Sequence, residues 1–180
     1  MTRRRTVLSV TAAALLAALG YSQYWVYTGR VATVERDRLY RSAALSEDRL
    51  LDVCRRYRIT TVIDLREESP ETRAEADALA RAGIAHVGLP TGQVPSRDTV
   101  TRFLQVMDTK RHEAVLVHCT HGVGRSGLFS AIYRMEYQGW PRWRAIAEAM
   151  VLGGFGTFGP DNSKAVFLRS YVPRAPAAAR

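Results

Sequence analysis

Cysteine is scarce in this sequence, and its scarcity excludes several classes of protein. The 180 residues include two cysteines, Cys54 and Cys119, and four histidines. Two cysteines cannot supply a disulfide framework, and a structural zinc site usually takes four ligands in paired spacing. His118 and His121 stand beside Cys119, but the other two histidines, His86 and His112, do not form such a pair with any cysteine. We therefore expect no bound metal and no cofactor.

Long uncharged stretches are equally rare, and the sequence has one, from Thr6 to Tyr27. Its length of about 20 residues is enough to span a bilayer, and aromatic residues gather at its far end as they do at membrane interfaces. We expect residues 1–28 to be a signal-anchor that contacts the membrane through residues 6–27. A cleavable signal peptide is the alternative, because Ala18-Leu19-Gly20 offers small residues at suitable spacing. The three arginines at positions 3–5 favour a cytoplasmic N-terminus and an extracytoplasmic remainder in either case.

The remaining sequence, 47% hydrophobic over the whole chain, alternates between patterns typical of strands and of helices. Strands are expected at 60–65, 84–89 and 114–118, and helices at 47–58, 70–82, 96–108 and 128–138, with another beginning at Pro141. This alternation predicts one α/β domain over residues 29–172, with a mostly parallel central sheet flanked by helices and ligands at the carboxyl ends of the strands. Residues 173–180 are expected to form a disordered tail.

The segment from His118 to Gly127 joins the predicted strand 114–118 to the following helix. Loop N–H groups at a helix N-terminus bind anions, and two glycines, Gly122 and Gly124, allow the backbone to curl around one. The same field lowers the pKa of a thiol, which would make Cys119 a nucleophile at neutral pH. Arg125, six positions later, offers a guanidinium fork that matches two phosphate oxygens. The segment therefore predicts a phosphate cradle with a nucleophile at its floor.

This segment resembles the His-Cys-x5-Arg-Ser/Thr signature of the cysteine-based protein tyrosine phosphatases, and in particular their compact bacterial dual-specificity branch. The resemblance extends over roughly residues 31–158, through 39–43, 61–66 and 133–140. It implies phosphomonoester hydrolysis through a phosphocysteine intermediate. Cys119 would be the nucleophile, Ser126 would help the thiolate leave and His118 would orient the loop. The phosphate would be bound by residues 120–125: Thr120, His121, Gly122, Val123, Gly124 and Arg125.

The general acid departs from the best-known pattern of that family. An aspartate usually follows a Pro-x step upstream of the cysteine, but here the stretch reads Leu89-Pro90-Thr91-Gly92. Asp98 is the nearest carboxylate, although an acidic residue in the first turn of a helix is also common for dipole reasons alone. Asp161 and His121 are the other candidates. Asp64, at the end of a predicted inner strand, is expected to fix loops.

The net charge of +9 suits an anionic substrate or an acidic membrane surface. Nothing in the sequence indicates nucleic-acid recognition. The resemblance favours phosphotyrosine or mixed phosphoprotein substrates, because the loop carries none of the lysines that inositol-lipid phosphatases tend to place there. A phosphoinositide or phospholipid head-group phosphatase and a catalytically weak phosphate-binding pseudophosphatase are the alternatives. The glycine-rich segment 153–160 is expected to be a pocket rim or a hinge, and Cys54 a core residue.

Overall fold

The structure is a computed structural model that describes residue 20, residues 29–153 and residues 155–174. The chain divides into two compact units, Met1–Arg30 and Val31–Arg180. Apart from Gly20, the expected anchor at residues 6–27 lies outside the described residues. Among the residues that are described, no helix has both the length and the apolar character needed to cross a bilayer.

The second unit is built on a five-stranded sheet with the strand order β1-β2-β5-β3-β4. The strands are β1 (Ala32–Glu35), β2 (Leu39–Ala43), β3 (Ile59–Asp64), β4 (Ala85–Gly88) and β5 (Ala114–Cys119). β1 pairs antiparallel with β2, and every other pairing is parallel. This topology confirms the mostly parallel sheet, and it places β5 at its centre.

Seven helices accompany the sheet within the described residues. They are α1 (Glu47–Tyr57), α2 (Pro70–Arg81), α3 (Arg97–Thr109), α4 (Gly124–Tyr137), α5 (Arg142–Gly153), α6 (Phe155–Phe158) and α7 (Ser163–Ser170). The helix over Pro70–Arg81 begins as its sequence predicts, because Ser69 forms a capping box with Thr72 and Pro70 occupies the first turn. It ends at Arg81, and two residues later Gly83 turns the chain with a φ of 73°, which a glycine adopts without strain.

Side chains of successive residues in the inner strands point to opposite faces of the sheet, so each face has its own core. On one face Val115 and Val117 pack with the apolar sides of α3 and α4, including the edge-on ring pair Phe103 and Phe129. On the other face Leu116 packs with α1 and its neighbours, among them Cys54, which is 1% exposed. The expectation that Cys54 is a core residue is confirmed.

Two strands lack a pattern that sequence reasoning could recognise. β1 is a four-residue edge strand whose register with β2 shifts between Thr33 and Glu35. β2 carries Arg41 and Ser42, yet both side chains are buried, because β2 lies between β1 and the central strand. Polar residues in an inner strand break the apolar run that normally identifies it.

The C-terminal end of the domain reaches further than residue 172. Arg174 donates hydrogen bonds to the carboxylates of Asp108 on α3 and Glu136 on α4, at 2.7 and 2.9 Å. These contacts attach residue 174 to the domain, although the sequence assigns it to the tail. The rest of that expected tail, residues 175–180, lies outside the described residues.

Candidate active site

The loop between β5 and α4 rests on the carboxyl end of β2. The Ala44 N–H donates to the Thr120 carbonyl at 3.3 Å. Gly122 has a φ of 66°, and a Cβ placed on it would lie 2.4 Å from the backbone nitrogen of Ala43. No side chain fits there, and the backbone conformation itself favours glycine. Gly122 is therefore required both by the curl of the loop and by its close approach to β2.

Cys119 lies at the floor of this loop and is 2% exposed. Its Sγ is 3.6 Å from the Ser126 hydroxyl oxygen. Burial alone would raise the pKa of the thiol. However, the backbone N–H and the hydroxyl of Ser126, with the N–H groups of Gly122 and His121, hold the pKa of Cys119 below its ordinary value. The loop thus stabilises a negative charge at the sulfur, as a phosphate cradle must.

Arg125 is fixed beside the cysteine by three hydrogen bonds. Its Nη1 donates to the carbonyls of Leu65, at 2.7 Å, and Thr91, at 3.2 Å, and its Nη2 donates to the Thr120 hydroxyl at 3.1 Å. Its Nε makes no hydrogen bond to any described residue. The guanidinium is therefore held in place while part of its donor edge is available for an anion.

A buried charged network lies beneath the loop. His118, 1% exposed, has its Nε2 2.9 Å from Glu75 Oε1 on α2 and 3.7 Å from Asp64 Oδ1. The Arg66 guanidinium bridges the same two carboxylates, at 2.8 Å to Asp64 and 2.7 Å to Glu75. Asp64 also accepts from the Arg66 N–H at 2.9 Å, so it fixes the end of β3 as expected. Sequence reasoning missed Glu75, because nothing in a helical Ala-Glu-Ala pattern marks a glutamate that points inward.

The neighbours of Asp64 in this network determine the direction of its pKa shift. Burial opposes ionisation of Asp64, but the neighbouring His86 and the Arg66 donors outweigh it and hold the pKa of that carboxyl well below its usual range. Ligand atoms of Asp64, Glu75 and His86 lie within 4.8 Å of one another, close enough to share a cation. The Arg66 guanidinium already bridges both carboxylates, so a metal would compete with a cation that is part of the chain.

The three candidates for the general acid all lie at the protein surface. Asp98 is exposed in the first turn of α3, where the Ser96 hydroxyl caps the helix by accepting from the Thr99 N–H. Asp161 is exposed directly before Asn162, the N-cap of α7. His121 is exposed within the loop itself. The connection that carries Asp98 does reach the site, because the Thr91 carbonyl accepts from Arg125.

Lys164, on α7, is a second residue that sequence reasoning missed. A Cβ placed on Gly124 would lie 2.9 Å from Lys164 Cε and 3.5 Å from Thr157 Cγ2, so both side chains line the loop. The contact with Thr157 supports the interpretation of segment 153–160 as a pocket rim. A signal was present in the composition: of 26 lysines and arginines, two are lysines, Lys110 and Lys164. Lys164 is thus one of two positions at which this arginine-rich chain carries the more compact ammonium group.

A central strand that ends in a buried cysteine, followed by a backbone N–H cradle and a fixed arginine, is the arrangement of the cysteine-dependent phosphatases of the dual-specificity type. Comparison with protein-family models gives the same class of protein. Residues 26–152 match the family described as "DSP-PTPase phosphatase fused to NAD+ Kinase", and the chain belongs to that family.

Individual relatives agree with this assignment. The dual specificity protein phosphatase TpbA of Pseudomonas aeruginosa strain UCBPP-PA14 is 36% identical over 120 residues, which cover 66% of this chain and 52% of TpbA. The human dual specificity protein phosphatase CDC14A is 29% identical over 109 residues, 59% of this chain and 18% of that protein. The chain thus spans about half the length of TpbA and much less of CDC14A.

Solved structures show the same fold. A TpbA variant in complex with pTyr has a TM-score of 0.60 and 25% identity, and the match covers 78% of this chain and 88% of that one. The catalytic core of Siw14 has a TM-score of 0.65 over 79% of this chain and 84% of its own, and at 17% identity it supports the fold alone.

Proposed function

We propose that this protein hydrolyses phosphomonoesters through a phosphocysteine intermediate, with phosphotyrosine in proteins as its substrate. The observation that carries the proposal is the state of Cys119, whose pKa is held down by the loop N–H groups and Ser126. A thiolate at the floor of an anion cradle is a nucleophile aimed at the anion that the cradle binds.

The reaction has two steps. The Cys119 thiolate attacks phosphorus and forms an S–P bond, the P–O bond to the leaving phenol breaks, and a general acid protonates the departing oxygen. Arg125 and the loop N–H groups hold the three equatorial oxygens throughout. Water then attacks phosphorus and gives a proton to the conjugate base of the same acid, the S–P bond breaks to release inorganic phosphate, and the Ser126 hydroxyl stabilises the thiolate that leaves. Asp98 is the first candidate for the acid, with Asp161 and His121 as alternatives.

Phosphotyrosine is favoured as the substrate because the relative TpbA has been solved in complex with pTyr. A phosphoinositide or phospholipid head group is the second candidate. The loop has no lysine of its own, but Lys164 supplies a cation beside Gly124. Phosphate release from tyrosine-phosphorylated peptides and from short-chain phosphoinositides, measured with the same preparation, will rank the two classes. Equal or better turnover of the phosphoinositides would reverse this choice.

The catalytic assignment is tested with variants of both cysteines. Cys119→Ser should lose about a thousandfold or more in kcat, whereas Cys54→Ala should retain wild-type turnover, because Cys54 belongs to the core on the other side of the sheet. Arg125→Lys should also lose activity, since lysine cannot bond Leu65, Thr91 and a phosphate together, while Arg73→Lys on the surface should not. Turnover by Cys119→Ser, or none by the wild-type protein, would leave a phosphate-binding pseudophosphatase as the better description.

We also propose that residues 6–27 anchor the protein and that its catalytic domain is extracytoplasmic. This proposal is supported by the sequence alone, through the uncharged stretch and the three preceding arginines. A protease added outside spheroplasts should digest the domain of the full-length protein. Protection until the membrane is dissolved would instead indicate a cytoplasmic domain.

A further inference from the structure

Lys164 lies against the phosphate loop, and most of its surface is buried. It belongs to α7, and the residue as a whole is 6% exposed. Its Cε and Cδ lie 2.9 and 3.7 Å from the position of a Cβ on Gly124, the first residue of α4. A larger residue at position 124 would therefore displace the lysine stem, so the absence of a side chain there makes room for it.

Among the described residues, no carboxylate forms an ion pair with the ammonium group of Lys164. It makes no hydrogen bond or ion pair with any described residue, and its charged neighbours are Arg125 and the Cys119 sulfur. Burial and the repulsion from Arg125 lower the pKa of Lys164, and a thiolate at Cys119 opposes that shift. Enclosing a cation beside another cation is unfavourable unless an anion joins them.

We propose that Lys164 binds the phosphoryl group of the substrate as a second cation beside Arg125. The inference deepens the proposed function, because the identity of the anion as a phosphate ester rests on it. Arg125 would contact the anion from within the loop. Lys164 would contact it from α7, with its stem packed against Gly124. Their two charges together balance the two negative charges of a phosphomonoester dianion.

Anion binding tests this role independently of turnover. Titration of the full chain with orthovanadate, followed by calorimetry, should show an affinity at least about tenfold weaker for Lys164→Met than for wild type. Lys164→Arg, which keeps the charge, should recover part of that loss. Lys110→Met is the matched control, because Lys110 pairs with Glu113 on the surface and should leave vanadate binding unchanged. An affinity of Lys164→Met within twofold of wild type overturns the inference.

Chemical labelling provides a second measurement that needs no variant and therefore no assumption about folding. The chain has two lysines, so acetic anhydride labelling followed by mass spectrometry reports on each separately. Saturating vanadate should protect Lys164 severalfold and leave Lys110 unaffected. Equal labelling of Lys164 with and without vanadate overturns the inference.

The outcomes also separate this inference from the proposed hydrolysis. If the wild-type protein binds vanadate through Lys164 but releases no phosphate from any ester, the second cation stands and hydrolysis fails. If the protein turns over phosphotyrosine and Lys164→Met binds vanadate normally, hydrolysis stands and the second cation fails.

Discussion

Glu75 Oε1 lies 2.9 Å from His118 Nε2, and this contact connects α2 to the residue that precedes the candidate nucleophile. Arg66 holds the same glutamate at 2.7 Å and also binds Asp64. Leu65 lies between Asp64 and Arg66, and its N–H donates to the His118 carbonyl at 3.0 Å. The floor of the loop is therefore tied to β3 and α2 through buried charges as well as through the sheet.

Glu75→Ala should destabilise the domain and weaken catalysis together. The change removes the carboxylate nearest to His118 and leaves Arg66 with one carboxylate, and an uncompensated buried polar group costs about 1–3 kcal/mol in free energy of unfolding. Urea unfolding measures that loss. We expect kcat to fall more than KM rises, because His118 directly precedes Cys119 and its displacement moves the nucleophile more than the loop N–H groups that bind the anion. Glu68→Ala is the control: its ion pair with Arg73 is exposed, so its effect should stay within about 0.5 kcal/mol.

Gly122→Ala should disrupt the loop itself. The φ of 66° is strained for alanine, and the new Cβ would meet the Ala43 nitrogen at 2.4 Å, so the loop must move away from β2. We expect loss of vanadate binding and of activity, measured by calorimetry and phosphate release. Gly88→Ala is matched to it, because nothing lies within 4 Å of a Cβ there and its backbone is that of an ordinary strand. Normal anion binding by Gly122→Ala would contradict this account of the loop.

The loop and the parallel sheet could be predicted because their signals are local. Val115, Leu116 and Val117 form a continuous apolar run, and the cysteine, glycines and arginine follow within a few residues. Ser69 and Pro70 likewise specify the start of α2 through a capping box that needs only neighbouring residues.

The rest depends on contacts distant in sequence. Glu75 and His118 are 43 positions apart by their numbers, and Gly124 and Lys164 are 40 apart. A helical pattern places Glu75 on the helix expected at 70–82 but does not show that its side chain points at the loop, and none of the expected helices includes Lys164. β2 escaped recognition because Arg41 and Ser42 are buried by neighbours that only the tertiary fold supplies.

The thiol of Cys119 should ionise at lower pH than an ordinary cysteine. Because its pKa is lowered, the thiolate forms below the usual thiol pKa of 9.0. The rate of iodoacetamide alkylation should therefore rise with pH and reach its plateau at a lower pH than for an ordinary cysteine. Burial and the charge of Glu75 raise the pKa of Cys54 to about 11, so Cys54 should stay unmodified in this range.

Ser126→Ala tests the cause of that shift. Removing the hydroxyl eliminates one of the groups that stabilise the thiolate, so the alkylation midpoint of Cys119 should move to higher pH. Ser130→Ala is a suitable control, because the Ser130 hydroxyl donates to the Ser126 carbonyl rather than to the sulfur. A midpoint unchanged in Ser126→Ala would assign the low pKa to the backbone N–H groups alone.

The general acid can be identified from how the effect of its substitution depends on the leaving group of the substrate. If Asp98 protonates the departing oxygen, Asp98→Asn should lose about a hundredfold in kcat/KM on phenyl phosphate, whose phenoxide leaves poorly, and flatten the basic limb of the pH–rate profile. With a highly activated aryl phosphate the same variant should approach wild type, because that leaving group needs no proton. Asp161→Asn and His121→Gln are measured in parallel. An unchanged profile in Asp98→Asn with a flattened one in Asp161→Asn would assign the role to Asp161, which precedes α7, the helix that carries Lys164.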